Sequence, residues 1–321
     1  MKERGIYKIF YIFLLSLIVI GIFFRLYSLK KDFIGEETVF VAGAEAVRDT
    51  GLPIFYHSER EKHSLALWHP PMYVYALYLL MKIGDNEILL RSINAIASIL
   101  TTFLIFLFCF YFLDKDKRII VGLISSAFFL INFYFLSSSM IIDIDIFSML
   151  FLFSFIFFII ASLRFQKKSF LFLGSLTFFL SLWNRFPIAV ITYLAMGIYF
   201  FCNQSMKSFR YKYFLIGFTA VACFLVTWFA YSTFIVPGTF FYFISHNLEK
   251  GSEQLSSLKI YSGSFLINIV QFIRLFTFPG FLLMIFSFVY FLKNKSYIHR
   301  ILIIFSASIL FTFSYTVLTV R

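Results

Sequence analysis

A chain of 321 residues that is 61% hydrophobic, 22% aromatic and only 14% charged, with a mean hydropathy of +0.89, is not a soluble domain, because water cannot solvate that much apolar surface. The formal charge of +12 points to membrane topology rather than nucleic acid, since the basic residues gather in short loops and no nucleic-acid module is recognisable. Cys109, Cys202 and Cys223 all lie in apolar runs, where a thiol acts as a small hydrophobe, and they imply no disulfide framework.

The N-terminus begins with Lys2, Arg4 and Lys8 and runs into an apolar stretch over 9–24 with no small-residue cleavage site close behind, the pattern of an uncleaved signal-anchor. Arg25 follows directly. A polar segment then extends from Asp32 and Gly35-Glu36-Glu37 to Trp68-His69-Pro70-Pro71, within an expected first outer loop over 28–91. In it, Val39, Phe40 and Val47 suggest an amphipathic helix over 36–50, closed by Gly51. Acids in a first helical turn favour the helix dipole, which is reason enough for Glu36 and Glu37 without any chemistry. His57, Glu59, Glu61, His63 and His69 read as a solvated loop, because their spacing is not that of a metal motif. No metal is assigned, with a divalent ion left open.

The apolar stretch 70–83 covers roughly 21 Å as a helix, short of a ~30 Å hydrocarbon core. It is expected to lie in the outer interface, with Tyr73, Tyr75 and Tyr78 as anchors. Windows of about 20 apolar residues then select spans at 93–113, 119–136, 141–163, 170–183, 188–202, 213–235, 278–292 and 301–320. With the first, about nine crossings result. The loops holding Lys115, Lys117 and Arg118; Arg164, Lys167 and Lys168; Lys207, Arg210 and Lys212; and Lys293, Lys295 and Arg300 fall on one side together with the N-terminus. The positive-inside rule makes that side cytoplasmic. The expected fold is an all-α, multi-pass bundle in the cell membrane, a single transmembrane domain with a second outer loop over 236–265.

Helical rise places the buried charges. Asp145 lies about 28 Å from Arg164, and Arg185 about 26 Å from Lys168, so both approach the outer edge, as Arg25 does from Lys8. Ionisable groups at such depth serve a site or an ion pair. Asp143 and Asp145, two residues apart on a helix, would point about 200° from one another, so one alone faces a given cleft and one can cap the helix after Ser137-Ser138-Ser139. Arg185, in Trp183-Asn184-Arg185-Phe186-Pro187, reads equally as a snorkelling cation. His246 and Arg274 are weaker candidates.

The order of these pieces resembles a known family. An apolar span ending in Arg25, then Glu36-Glu37 with a glycine about fourteen residues on, His69-Pro70-Pro71-Met72 with a tyrosine-rich helix, and Gly84 and Arg91 at the next span are similar to the start of a polyprenyl-phosphate-sugar-dependent glycosyltransferase of the GT-C fold. Protein O-mannosyltransferases and lipid A aminoarabinose transferases are its best-known members. The similarity continues through residues 139–145 and Asn184-Arg185-Phe186-Pro187, and covers roughly residues 9 to 200. In such enzymes the first outer loop starts with an Asp-Glu pair whose aspartate acts at the reaction centre. Glu36 stands in that place here, a departure that moves the carboxylate by about a bond length. The chain also carries fewer spans than most such enzymes and no C-terminal soluble domain, which leaves short, degenerate and truncated members as alternatives.

The resemblance implies transfer of a hexosyl or pentosyl group from a polyprenyl-phosphate carrier to a protein, lipid or glycan hydroxyl on the outer face, with membrane lipids as surroundings and no nucleic acid. It implies Glu36 as base with Glu37 orienting acceptor or loop; Asp143 or Asp145 on sugar hydroxyls or acceptor; Arg185 and Arg91 on the leaving phosphate; and His69 on that phosphate or shaping the loop. An O-antigen ligase or polymerase would instead place its chemistry on the late outer loop. A flippase for lipid-linked sugars would place charges at the bilayer midplane, and a non-catalytic descendant would bind without turnover.

Overall fold

The computed structural model describes residues 2–27, 37–57, 62–65, 70–115, 118–203 and 207–235, with the single positions 289 and 301. Glu36, His69, His246, Arg274 and the outer loop 236–265 lie outside the described residues, as do the span expected at 278–292 except position 289 and the span expected at 301–320 except its first position. Two compact units divide the chain, Met1–Leu67 with Pro71–Phe157 and Trp68–Pro70 with Phe158–Arg321.

The first unit begins with helix α1 (Lys2–Tyr27). Leu14, Gly21 and Arg25 are buried along one side, while Phe13, Val19, Phe23 and Leu26 are exposed, the arrangement of a helix whose outer face meets lipid rather than water. Helix α2 (Glu37–Thr50) follows. It ends where the periodicity expects: Gly51 takes φ +78° and its N–H donates to the Val47 carbonyl, a left-handed terminator. Strands β1 (Ile54–His57) and β2 (Lys62–Leu65) pair antiparallel, with Ile54 opposite Leu65 and His57 opposite Lys62. This short hairpin stands in an otherwise helical chain, and the β-branched and aromatic Ile54-Phe55-Tyr56 run supplies its β preference.

Helix α3 (Met72–Met81) is ten residues long and too short to cross a bilayer. It packs on α2 and on α4 (Glu87–Phe112), whose first turn is capped by the Asn86 side chain accepting from the Leu89 N–H at 2.9 Å. Val41, Ala44 and Val47 of α2, Tyr73, Val74 and Leu77 of α3, Leu90 of α4, and Ile142 form one apolar cluster. Tyr73 is wholly buried there, which corrects its assignment as an interfacial anchor.

One span expected over 119–136 is two helices. Helix α5 (Arg118–Ile131) stops at Asn132, whose side-chain oxygen accepts from the Phe135 N–H at 3.4 Å to start α6 (Phe133–Met140). Helix α7 (Ile144–Phe165) then leaves this unit.

The second unit holds α8 (Lys168–Cys202) and α9 (Lys207–Ala230), the latter continued by a π turn (Tyr231–Ile235). Residues 178 and 193 would stand about 22 Å apart on a straight helix. Their rings instead stack with centroids 4.9 Å apart, so α8 doubles back. The reversal sits at Arg185, whose φ −143° and ψ 80° are non-helical, two residues before Pro187, which has no N–H for the helical ladder. Two limbs, 168–184 and 186–202, result, matching the separate spans expected at 170–183 and 188–202. Helix α9 lies on both. Tyr193 stacks on Tyr213 at 4.8 Å and bends over Gly217, and Trp183 meets Phe224, Trp228 and Tyr231.

Among the described residues, Glu87–Phe112, Ile144–Phe165 and Phe209–Ile235 are long and apolar enough to cross a membrane, and Tyr11–Tyr27, Arg118–Ile131 and Ile188–Cys202 are shorter apolar helices. The chain is a helical membrane protein.

Candidate active site

Glu37 opens α2 and is 1% exposed, in a place where an unpaired carboxylate would be costly. Arg91, one turn into α4 and 2% exposed, meets it side-on. Its Nε donates to Oε1 at 2.8 Å and its Nη2 to Oε2 at 2.7 Å. The Ile142 backbone N–H adds a third donor to Oε1 at 2.8 Å. Both carboxylate oxygens and two guanidinium nitrogens are thereby used in one bidentate, charge-assisted contact. A buried pair of this kind adds little net stability but fixes one geometry, because removing either partner strands a charge.

Asn94, three residues beyond Arg91 and on the same face of α4, extends the arrangement. Its Nδ2 donates to the carbonyls of Ile141 at 2.8 Å and Asp143 at 2.6 Å, and its Oδ1 accepts from the Tyr73 hydroxyl at 3.2 Å. Burial, reinforced by the Asp143 charge, holds the Tyr73 hydroxyl well above its ordinary pKa, so it stays a donor. The first residue of α2, the second of α3, the second turn of α4 and the link 141–143 are thus joined through polar atoms in an apolar cluster. Such a network is rigid when satisfied and costly when broken.

Asp143 precedes α7 and caps it: its Oδ1 accepts from the Asp145 N–H at 3.2 Å. Asp143 and Asp145 are therefore not both on the helix, and the expectation of side chains 200° apart on one helix is corrected. Each is half-buried, and the Asp143 carbonyl is held by Asn94.

Arg25 is fully buried and ties three helices together. Its Nε donates to the Ser98 hydroxyl at 2.9 Å, and its Nη1 to the carbonyls of Gly21 at 2.9 Å and Leu130 at 2.7 Å. Gly21 lets α5 approach closely, for a Cβ there would stand 2.8 Å from the Leu130 Cβ. In the second unit, Arg185 lies half-buried at the reversal of α8 beside the fully buried Asn184, with the Trp183 indole donating to Thr227 at 3.2 Å.

Of the residues expected in a site, the structure joins Glu37 and Arg91 directly and brings the 141–143 backbone to them. Asn94 and Tyr73 were not anticipated. A polar stripe of Arg91, Asn94, Ser98 and Thr101 along an otherwise apolar helix was the available signal. Among the described residues no group of three His, Cys, Asp or Glu side chains is placed to hold a metal ion.

A family model described as dolichyl-phosphate-mannose-protein mannosyltransferase matches residues 68–230, about half of the chain. No curated protein and no solved structure matches.

Proposed function

The chain belongs to the dolichyl-phosphate-mannose-protein mannosyltransferase family, a family of membrane glycosyltransferases, and on that premise we propose that it moves a sugar from a polyprenyl-phosphate carrier to an acceptor hydroxyl at the outer face. The observation that carries the reading beyond family membership is the Glu37–Arg91 pair with its third donor at Ile142, because it immobilises the chain at the residue after Glu36. A base must sit within about 3 Å of its proton, so its neighbouring backbone has to be held.

In this reading Glu36 removes the acceptor proton as the acceptor oxygen attacks the anomeric carbon. The bond from that carbon to the phosphate oxygen breaks, and its electron pair leaves with the phosphate. Arg185 and His69 offset the charge gathering there. Asp143 and Asp145 supply acceptors for sugar hydroxyls. Glu37 and Arg91 are positioning residues, since the two nitrogens of Arg91 that face Glu37 are committed to it. A phosphomonoester leaves without needing a metal, and the reading assigns none.

Transfer from a radiolabelled polyprenyl-phosphate sugar, measured in membranes with matched protein levels, tests it. Wild type transfers, and Glu36→Gln loses a factor of roughly 100 or more, the scale of general-base catalysis. Equal transfer by both proteins removes Glu36 from the mechanism. No transfer by the wild type with any of several donors refutes the enzymatic reading.

A further inference from the structure

The second unit contains a cavity of about 390 Å³ at the end where α7 finishes and both α8 and α9 begin. Lys168, the first residue of α8, and Lys212, near the start of α9, line its mouth together with Gln166. Further along the same two helices come Phe172, Leu215 and Ile216. The walls therefore grade from two ammonium groups to hydrocarbon within about 10 Å. Phe172 and Leu215 are 70% and 51% exposed, so the apolar part opens outward rather than into the protein.

Among the described residues of this unit, 158–203 and 207–235, the charge meets no acid. From residue 146 to 248 the sequence contains no aspartate or glutamate, yet it holds Arg164, Lys167, Lys168, Arg185, Lys207, Arg210 and Lys212. Arg210 is turned away, its Nε donating to the Phe200 carbonyl at 3.1 Å and its guanidinium lying over Phe201. Among the described residues neither Lys168 nor Lys212 forms an ion pair. Two lysines at the mouth of an apolar, outward-opening groove in a membrane protein match one molecule that is both anionic and greasy.

We propose that this groove binds an anionic phospholipid of the surrounding bilayer. Its phosphate and headgroup lie against Lys168, Lys212 and Gln166, and one acyl chain follows Phe172, Leu215 and Ile216. With the orientation expected from the basic loops this is the cytoplasmic leaflet, where anionic lipid meets juxtamembrane lysines. The site is independent of the proposed reaction, and its occupant is a bilayer lipid rather than the sugar carrier.

The full-length protein, purified in mild detergent, is incubated with phosphatidylglycerol, phosphatidylcholine or undecaprenyl phosphate, and retained lipid is counted by native mass spectrometry. Wild type retains phosphatidylglycerol over phosphatidylcholine. K168Q/K212Q lowers that retention at least tenfold, whereas K168R/K212R and K115Q, the last on a different basic loop, leave it unchanged. Thr219 lines the same groove one turn beyond Leu215, and Thr219→Trp, which fills the groove and keeps both lysines, abolishes retention. Equal retention by wild type and K168Q/K212Q overturns the proposal. So does full retention by Thr219→Trp, which would reduce the effect to surface charge, or preferential retention of undecaprenyl phosphate, which would make the groove a carrier site.

Discussion

Breaking the Glu37–Arg91 pair from one side should cost far more than removing it whole. Arg91→Met leaves a carboxylate that is 1% exposed and still accepts from the Ile142 N–H but has lost the guanidinium facing it, and Glu37→Leu takes the facing carboxylate from the guanidinium. Each single change is expected to cost about 3 to 5 kcal/mol, the scale of an uncompensated buried charge. Against a total of roughly 5 to 15 kcal/mol, either variant should stand near unfolding. The double variant removes both charges. What it still forfeits is the acceptor for the Ile142 N–H, about 1 to 3 kcal/mol. The cycle therefore has a coupling of several kcal/mol, where independent sites would simply add to about 6 to 10. Reversible unfolding in mixed micelles, followed by intrinsic fluorescence, measures all four proteins under one condition. A double variant as unstable as the two singles summed would refute the argument.

Two glycines separate strain from collision. Gly51 stands at φ +78° with open space around its Cβ position, so Gly51→Ala should lose about 1 kcal/mol through backbone strain alone, read as a modest drop in melting temperature. At Gly217 a methyl group would overlap the Tyr193 ring, and Gly217→Ala should cost at least about 1 to 3 kcal/mol in the wild-type background but close to nothing further in a chain already carrying Tyr193→Ala, where the ring it meets is gone. Asp143→Ala should lower stability by about 1 kcal/mol through loss of the α7 cap, while Asp143→Asn keeps the cap. Turnover that falls in both variants, with stability lost only in the first, separates its chemistry from its structural part. Tyr73→Phe should cost about 1 kcal/mol by leaving the Asn94 oxygen short of a donor, seen in the same unfolding assay.

Periodicity and stop signals made several elements legible. The apolar spacing before Gly51 marks α2, and Pro187 beside a basic residue marks where α8 turns, because glycine and proline act through local backbone geometry that needs no tertiary context. Face assignment within short apolar helices was not legible. Tyr73, Tyr75 and Tyr78 offer the same phenol, and what distinguishes Tyr73 is tertiary: Asn94, 21 positions away, takes its hydroxyl, and Phe40 and Phe147 meet its ring. Asn132 is likewise a weak signal between apolar runs, and its helix-breaking role depends on the side chain starting a new turn. For the candidate site, the acids and Arg91 were visible as charges in apolar surroundings. Which of them pair was not, since pairing spans 54 residues between Glu37 and Arg91.

The Arg25 clamp has a consequence for biogenesis. When α1 leaves the translocon, the acceptor it brings within its own helix is the Gly21 carbonyl, since Ser98 and Leu130 are still unsynthesised. An arginine in an isolated apolar helix raises the free energy of insertion by up to roughly 3 kcal/mol. The first helix therefore carries a charge whose further acceptors, the Ser98 hydroxyl and the Leu130 carbonyl, come only with α4 and α5. The clamp thus makes the seating of α1 a joint property of three helices, each of which contributes an acceptor to one buried guanidinium.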